Sequence, residues 1–386
     1  MVKKSYILVA LIFVTILIGT LFSYTHDPLK DQNEIRLGAS LPLSGINQNL
    51  GKEIVIGADT YFQSVNATGG VHHKKIKFIY YDDKYEPEIT WSNTKRLIDH
   101  DSVFALFEFV GTPTTKKILP LVEKRGIPFI APYTGASFLR NPKFKNIINF
   151  RSSYQEEVDA LIGYLTKNKK FSKFSIFYQN DDYGREGYIA LLKALKKRGL
   201  ALVSEGTYKR NTLFVKQALY DIKDKKPEAV ILIGSYKPTA RFIKKARKDK
   251  SFKSVIFCPI SFVNANALME ELHNNGHNLL FSQTVPTYTN NTAQAQEYLK
   301  LLQTFHPHHP PTFASFESFL AAKVLVKSIE KIKGNITTKK FLENIKTPQE
   351  HTLEDVNVHY KHSQLLNSVY LLKFQDGIFK TICEKK

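Results

Sequence analysis

Two adjacent acid pairs, Asp82–Asp83 and Asp181–Asp182, and one hydroxyl-rich run, FVGTPTTKKILPL from Phe109 to Leu121, are where residue type and spacing could support chemistry. Paired carboxylates suit general acid–base work when their surroundings drive their pKa values apart. At strand ends, however, adjacent acids more often cap helices and hold loops, and that is the reading adopted for both pairs. In the run after Phe109, a glycine closes a strand, then a threonine, a proline and two threonines open a helix. The first turn of a helix has backbone N–H groups without intrahelical partners and carries the positive end of the helix dipole, so hydroxyls there complete an anion trap. Read only as a cap, the same run would put Thr112 at the N-cap and Pro113 at the first helical position. There is no G-x-G-x-x-G after the first strand, no Walker loop, no G-x-S-x-G elbow and no H-E-x-x-H. The histidines of HPHHP (His306, His308, His309) are broken up by proline, and His273 and His277 straddle NNG, so neither group has ligand spacing on a regular element. Binding without catalysis, cofactor or metal is expected; an enzyme would have to use Asp82 or Asp181.

The elements that must position these residues alternate along the chain. IRLGASLPL reads as a strand, EIVIGADTYFQSVNA as a helix stopping at Gly69–Gly70, KIKFIYYDD as a strand, ITWSNTKRLIDH as a helix and VFALFEFV as a buried strand. The Thr-rich helix and the strand IPFIAPYTGAS follow, and from Arg151 the alternation restarts through SVIFCPI and NANALMEELH. Late in the chain FASFESFLAAKVLVKSIEKIKG reads as a long amphipathic helix, and SVYLLKFQDGIFKTI as a hairpin turning at Asp376–Gly377. Strand–helix alternation implies α/β architecture with parallel sheets, and 386 residues exceed what one hydrophobic core usually serves, so two lobes are expected. Ligands of such sheets bind beyond the carboxyl ends of the strands. The loops selected by that rule, including LPLSGINQNLG, YDDKYEP, VGTPTT, APYTGAS, YQNDDYG, GSYKPT and PISFVN, are rich in Gly, Ser, Thr, Tyr and Asp.

Lys and Arg number 55 against 35 Asp and Glu, a formal charge of +20. The cations are scattered, many at helix C-terminal ends where they complement the dipole, and no zinc-finger or ribonucleoprotein signature accompanies them; nucleic acid is not an expected partner. Lys3 and Lys4 precede the uncharged run Ser5–Tyr24. That run reads as an export signal or as an N-terminal membrane anchor, since about 20 apolar residues span a bilayer. Either sends the rest of the chain outward. Both cysteines, Cys258 and Cys383, lie far from this run, which excludes a lipid-modified cysteine anchor there, and Cys258 in SVIFCPI reads as a buried strand residue rather than a disulfide partner.

The ordered set LPLSG, GAD, YDDKYEPE, GTPTT, IPFIAPYTGAS, FYQNDDYGREG, AVILIGSYKPTARFI and ISFVNANAL, over about Ile35 to Phe379, resembles the periplasmic-binding-protein family typified by leucine/isoleucine/valine-binding proteins. The resemblance implies a type 1 fold: two Rossmann-like lobes joined by three crossover strands, closing on a small-molecule ligand and serving an ABC permease or a sensory membrane protein. The implied layout is residues 1–33 as signal or anchor with linker, 34–150 and 285–352 as one lobe, and 151–284 and 353–386 as the other. Hinges would fall near Phe150–Arg151, Gln283–Pro286 and Glu350–Val356. Carried over residue by residue, Thr112 and Thr114 with backbone donors there and at Gly135 would clamp a ligand carboxylate. Tyr133 and Thr134 lie in the matching loop, Leu50 at a wall position, and Tyr183 and Tyr236 at closing positions of the second lobe.

Two departures stand out. Amino-acid-binding members pair the ligand ammonium with an acid where this chain has Ser261, leaving Asp181, Asp182 and Glu317 as possible replacements; otherwise the ligand has no amine. The cysteine pair of the family's first lobe is also missing from YDDKYEP and FVGTPTT, so rigidity there must come from packing.

Overall fold

The computed structural model describes residues 33–347, 353 and 355–385; the Ser5–Tyr24 run and most of the expected Glu350–Val356 hinge lie outside the described residues. In the first lobe, β1 (Glu34–Leu41), α1 (Gln48–Ala67), β2 (Lys75–Asp82), α2 (Pro87–Asp99), β3 (Ala105–Phe107), α3 (Thr112–Arg125), β4 (Phe129–Ile130) and β5 (Ile147–Ile148) follow in order. Their sheet is parallel, in the order β2-β1-β3-β4-β5. The expected strand VFALFEFV is cut to three residues because Glu108 takes a positive φ of 51°.

The second lobe repeats the rhythm with α4 (Tyr154–Lys169), β6 (Phe174–Gln179), α5 (Asp182–Lys196), β7 (Leu202–Tyr208), α6 (Lys216–Lys223), β8 (Ala229–Ile233), α7 (Tyr236–Ala246), β9 (Ile256–Pro259) and α8 (Ala265–Glu271). Its parallel sheet runs β7-β6-β8-β9. The central β8, AVILI, is buried along its whole length, as a strand covered by helices on both faces must be. α4 starts with a capping box, Ser153 and Glu156 bonding each other's backbone N–H.

Beyond β10 (Phe281–Gln283), helices α9 (Ala293–Phe305), α10 (Phe313–Glu330) and α11 (Thr338–Asn344) return to the first lobe, where α10 packs on α1. The expectation of an amphipathic α10 is corrected: it is buried on nearly every face, wedged between α1 and the lobe junction. The chain ends in β11 (Val358–Lys361), β12 (Gln364–Leu366), β13 (Val369–Gln375) and β14 (Ile378–Lys385). β13 and β14 form the expected hairpin, with Asp376 and Gly377 both at positive φ, and β13 pairs with β10. At the junction, Leu365 and Leu366 N–H donate to the carbonyls of Asn149 and Phe150 at 2.9 and 2.7 Å, and Ser152 Oγ donates to Ser368 O at 2.8 Å. That pairing lies C-terminal to Glu350–Val356. Both cysteines are free thiols, Cys258 buried as a strand residue.

Candidate ligand-binding cleft

The helix start raised by the sequence is set one residue earlier than a simple cap would have it. Gly111, not Thr112, is the N-cap of α3; Thr112 and Pro113 are its first helical residues. Gly111 has φ +102°, and a Cβ there would overlap the Tyr85 ring, so glycine is required twice over. Thr115 N–H is the first to bond within the helix, to Gly111 O at 3.2 Å, which leaves the N–H groups of Thr112 and Thr114 ahead of the ladder. Thr112 Oγ1 lies 2.8 Å from Thr134 Oγ1, which lies 3.1 Å from the Tyr154 hydroxyl. All three residues are buried. Tyr154 comes this close because Gly135 has no Cβ to obstruct it, and its N–H donates to Gly135 O at 2.9 Å.

Thr114 is the exception among the expected clamp residues. Its hydroxyl turns back on the chain, donating to Val110 O and, at 2.9 Å, to Gly111 O. Its hydroxyl is therefore spent on the helix start itself, and only its backbone N–H remains for an anion.

Aromatic rings of both lobes surround this cluster. Phe262, in the loop after β9, has its centroid 4.5 Å from Tyr183, 6.5 Å from Tyr154, 6.2 Å from Tyr133 and 6.3 Å from Tyr85. Tyr183 also meets Tyr154 at 5.4 Å. Tyr236 and Leu50 are both buried. Sequence reasoning selected the loops holding Tyr85 and Phe262 but not these residues, and it missed Tyr154 and Arg151 as neighbours of the clamp. The packing that must replace the cysteine pair is visible: the Tyr85 ring lies against Gly111, joining the two segments in question.

Ser261 sits in a buried ionic network. Arg151 Nη2 donates to Ser261 Oγ at 2.8 Å and to Glu317 Oε2 at 3.2 Å, and its Nε is 3.0 Å from Glu317 Oε1. Its guanidinium lies 4.0 Å above the Tyr133 ring. Glu157 accepts from Ser261 N–H at 2.8 Å, Ser261 Oγ at 2.9 Å and Ser282 Oγ at 2.7 Å, and Thr284 Oγ1 donates to Glu317 at 2.9 Å. Burial disfavours charge on Arg151, but Glu317 first, then Tyr133 and Glu157, outweigh it and hold its pKa above the ordinary value. Burial pushes the Glu157 carboxyl upward, partly offset by Arg151.

The lobes also meet at the rim. Lys116 Nζ is 2.7 Å from Asp182, Arg210 Nη2 is 3.0 Å from Glu86 and Asn211 Nδ2 is 2.7 Å from the same carboxylate. Ser137 N–H donates to Glu186 at 2.8 Å, and Asn264 Nδ2 donates to Asn49 at 2.7 Å. These contacts hold a closed arrangement. Because Glu86 is partly exposed, Glu86→Ala should shift the lobes toward opening by only about 0.5–1 kcal/mol, seen as a larger radius of gyration in small-angle scattering at fixed ligand. An unchanged radius would remove Glu86 from the latch.

The acid pairs hold loops. Asp82 accepts from Leu43 N–H, Ser44 N–H and the Ser44 hydroxyl, while Asp83 accepts from Ser40, Tyr85 N–H and Thr90. Burial raises Asp83 to about 6, yet its oxygens are committed inside the first lobe and the side chain is fully buried, so it faces no substrate. Asp181 caps α5 through Tyr183 and Gly184 N–H. His306 and His309 lie 3.5 Å from Asp59 and Glu53, and no group of three metal-ligating side chains occurs among the described residues.

Comparison with known proteins bears on the family and the fold. The family model described as periplasmic binding protein matches residues 34–377. A Brucella abortus Leu/Ile/Val-binding protein homolog is 21% identical over 316 residues, 78% of each chain. The crystal structure of a possible leucine/isoleucine/valine-binding protein from Rhodopirellula baltica superposes with a TM-score of 0.84 at 30% identity, covering 90% of this chain and 96% of that one. A branched-chain amino acid ABC transporter protein from Thermus thermophilus with bound valine gives a TM-score of 0.80 at 17% identity, covering 91% and 96%, which is a likeness of fold. With two parallel-sheet lobes closed on a hydroxyl-lined helix start, and with most of its length matched, this chain belongs to the periplasmic binding protein family, whose members bind ligands rather than catalyse reactions.

Proposed function

We propose that this protein is an extracytoplasmic solute-binding protein that closes on a small carboxylate-bearing ligand, an amino acid or related organic acid, and delivers it to an ABC importer. The observation that carries this reading is the Thr112–Thr134–Tyr154 hydroxyl cluster at the free N–H groups of α3, roofed by Tyr183 and Phe262 of the other lobe. Oriented donors at a helix start favour negative charge, and rings opposite them favour an apolar or planar body. Export and delivery rest on the family and on the Ser5–Tyr24 run.

Between an amino acid and an amine-free acid, the acids expected to replace the family's favour the second, since each is already partnered; Glu157, which accepts from Ser261 and Ser282 and pairs with no cation among the described residues, is the acid left for an amino acid. An ammonium needs an acid that is not already matched. Glu317 is held by Arg151 and Thr284, Asp182 by Lys116, and Asp181 by its own helix start and, at 3.4 Å, by Arg210. Relatives named for leucine, isoleucine and valine make the amino acid the direct competitor. Leucine and 4-methylpentanoate differ only in the amine, so a thermal-shift and calorimetric comparison on the purified protein separates the two. The amine-free acid is expected to bind about tenfold or more tightly and to raise the melting temperature by mass action. Tighter binding of leucine would return the reading to an amino acid, with Glu157 or Glu317 released to it. Thr112→Val with Thr134→Val tests the clamp itself.

A further inference from the structure

Several buried side-chain groups have no partner among the described residues, Thr115 Oγ1 in the first turn of α3 included, and two of them are donors beside the rings that flank Phe262. The Tyr85 hydroxyl has no hydrogen-bond partner among the described residues. It lies near Gln179 of the other lobe, whose amide donates to Asp181 at 2.7 Å and accepts from Tyr208 at 3.0 Å, with no hydrogen bond to Tyr85. Tyr85 is fixed there by its passage over Gly111, beside the start of α3. Arg151 Nη1 is the second, also partnerless among the described residues, while Nη2 serves Ser261 and Glu317. The rings bearing on these two groups, Tyr85 itself and Tyr133 under the guanidinium, both flank Phe262. Buried polar groups are normally satisfied, so two orphans at one cleft call for acceptors from outside the chain.

We propose that Tyr85 Oη and Arg151 Nη1 are specificity-determining residues that each receive an oxygen of the ligand, which makes the ligand class a hydroxy- or oxo-carboxylate without an ammonium. The inference rests on the carboxylate reading above. Arg151 offers hydrogens only, so an ammonium cannot satisfy it, whereas a tyrosine hydroxyl both donates and accepts and suits a carbonyl or hydroxyl. A second carboxylate is disfavoured because Arg151 already faces Glu317 and Glu157. An uncharged oxygen needs no further counter-charge.

The test is calorimetry and thermal shift with two isosteric series on the wild type and Tyr85→Phe. The first series is 4-methylpentanoate, 4-methyl-2-oxopentanoate, 2-hydroxy-4-methylpentanoate and leucine; the second is its phenyl counterpart, from 3-phenylpropanoate to phenylalanine. The wild type should prefer the oxo or hydroxy member to the plain acid by about tenfold or more, because a site built around a hydrogen bond rejects the analogue that lacks it. Tyr85→Phe should erase that preference, leave affinity for the plain acid within about threefold, and keep or raise the ligand-free melting temperature, since the lost hydroxyl had no partner. A preference that survives in Tyr85→Phe, or a ligand-free melting temperature that falls, overturns the inference. So does equal binding of plain and oxygenated acids by the wild type, which leaves the carboxylate clamp standing. The clamp reading fails separately, if Thr112→Val with Thr134→Val binds the plain acid as tightly as the wild type does. Absence of binding by both series in the wild type overturns both.

Discussion

Arg151→Ala should lose about 3–5 kcal/mol of folding stability, the usual consequence of removing one member of a buried ion pair. The guanidinium is essentially unexposed, and two carboxylates depend on it: Glu317, paired through Nε and Nη2, and Glu157, which shares Ser261 with it. Without Arg151 these carboxylates must either remain charged in a poorly solvated site or take up protons. Against a total stability of about 5–15 kcal/mol, that loss leaves the variant marginal. Denaturant melts with Arg151→Ala, Glu317→Gln and the pair together provide the check. The double variant should recover part of the loss, because it removes charge of both signs. A loss below about 1 kcal/mol in Arg151→Ala would mean that this network is solvated. Because this network ties α4 and the residues after β9 and β10 to Glu317 of α10, weakening it should also alter closure.

The second large effect concerns affinity rather than stability. Replacing Thr112 and Thr134 together by valine removes two hydroxyls that face each other, so neither is left with an orphaned neighbour from the pair. Tyr154 loses its hydroxyl partner, and the Ala136 N–H loses an acceptor at 3.3 Å. The fold should persist with a small change in melting temperature, while hydrogen bonds to a charged carboxylate, worth about 1.5–3 kcal/mol each, are lost. Affinity for a bound carboxylate should fall about a hundredfold by calorimetry. Thr114→Val is the internal contrast: its hydroxyl is committed to Val110 and Gly111 carbonyls, so affinity should stay within about threefold. If Thr114→Val proves as damaging as the pair, the clamp has been drawn with the wrong hydroxyls.

These contrasts show where sequence reading stops. The strand–helix rhythm, the two lobes, the Asp376–Gly377 hairpin and the loop-holding role of Asp82, Asp83 and Asp181 follow from local rules: hydrophobic period, turn chemistry and capping. The loops of the cleft were legible for the same reason, since strand ends locate them. Which side chain in each loop turns inward was not. Thr112 and Thr114 are equally plausible in FVGTPTT, and only the positive φ of Gly111, which moves the helix start by one residue, turns one toward Thr134 and the other back on its own backbone. Similarly, α10 alternates enough to suggest an exposed face, but its surroundings on several sides are set by residues from α1 and the lobe junction.

What the amino-acid order determined by itself is the architecture and a helix start with partnerless N–H groups, because propensity, periodicity and the open donors of a first turn are properties of contiguous segments. What only the folded molecule decided is the chemistry around that start. Arg151 meets Ser261 across 110 positions and Glu317 across 166, and Tyr85, Tyr154 and Phe262 come from three separate segments of the chain. Charge matching and desolvation act through space, between groups whose adjacency no local pattern encodes.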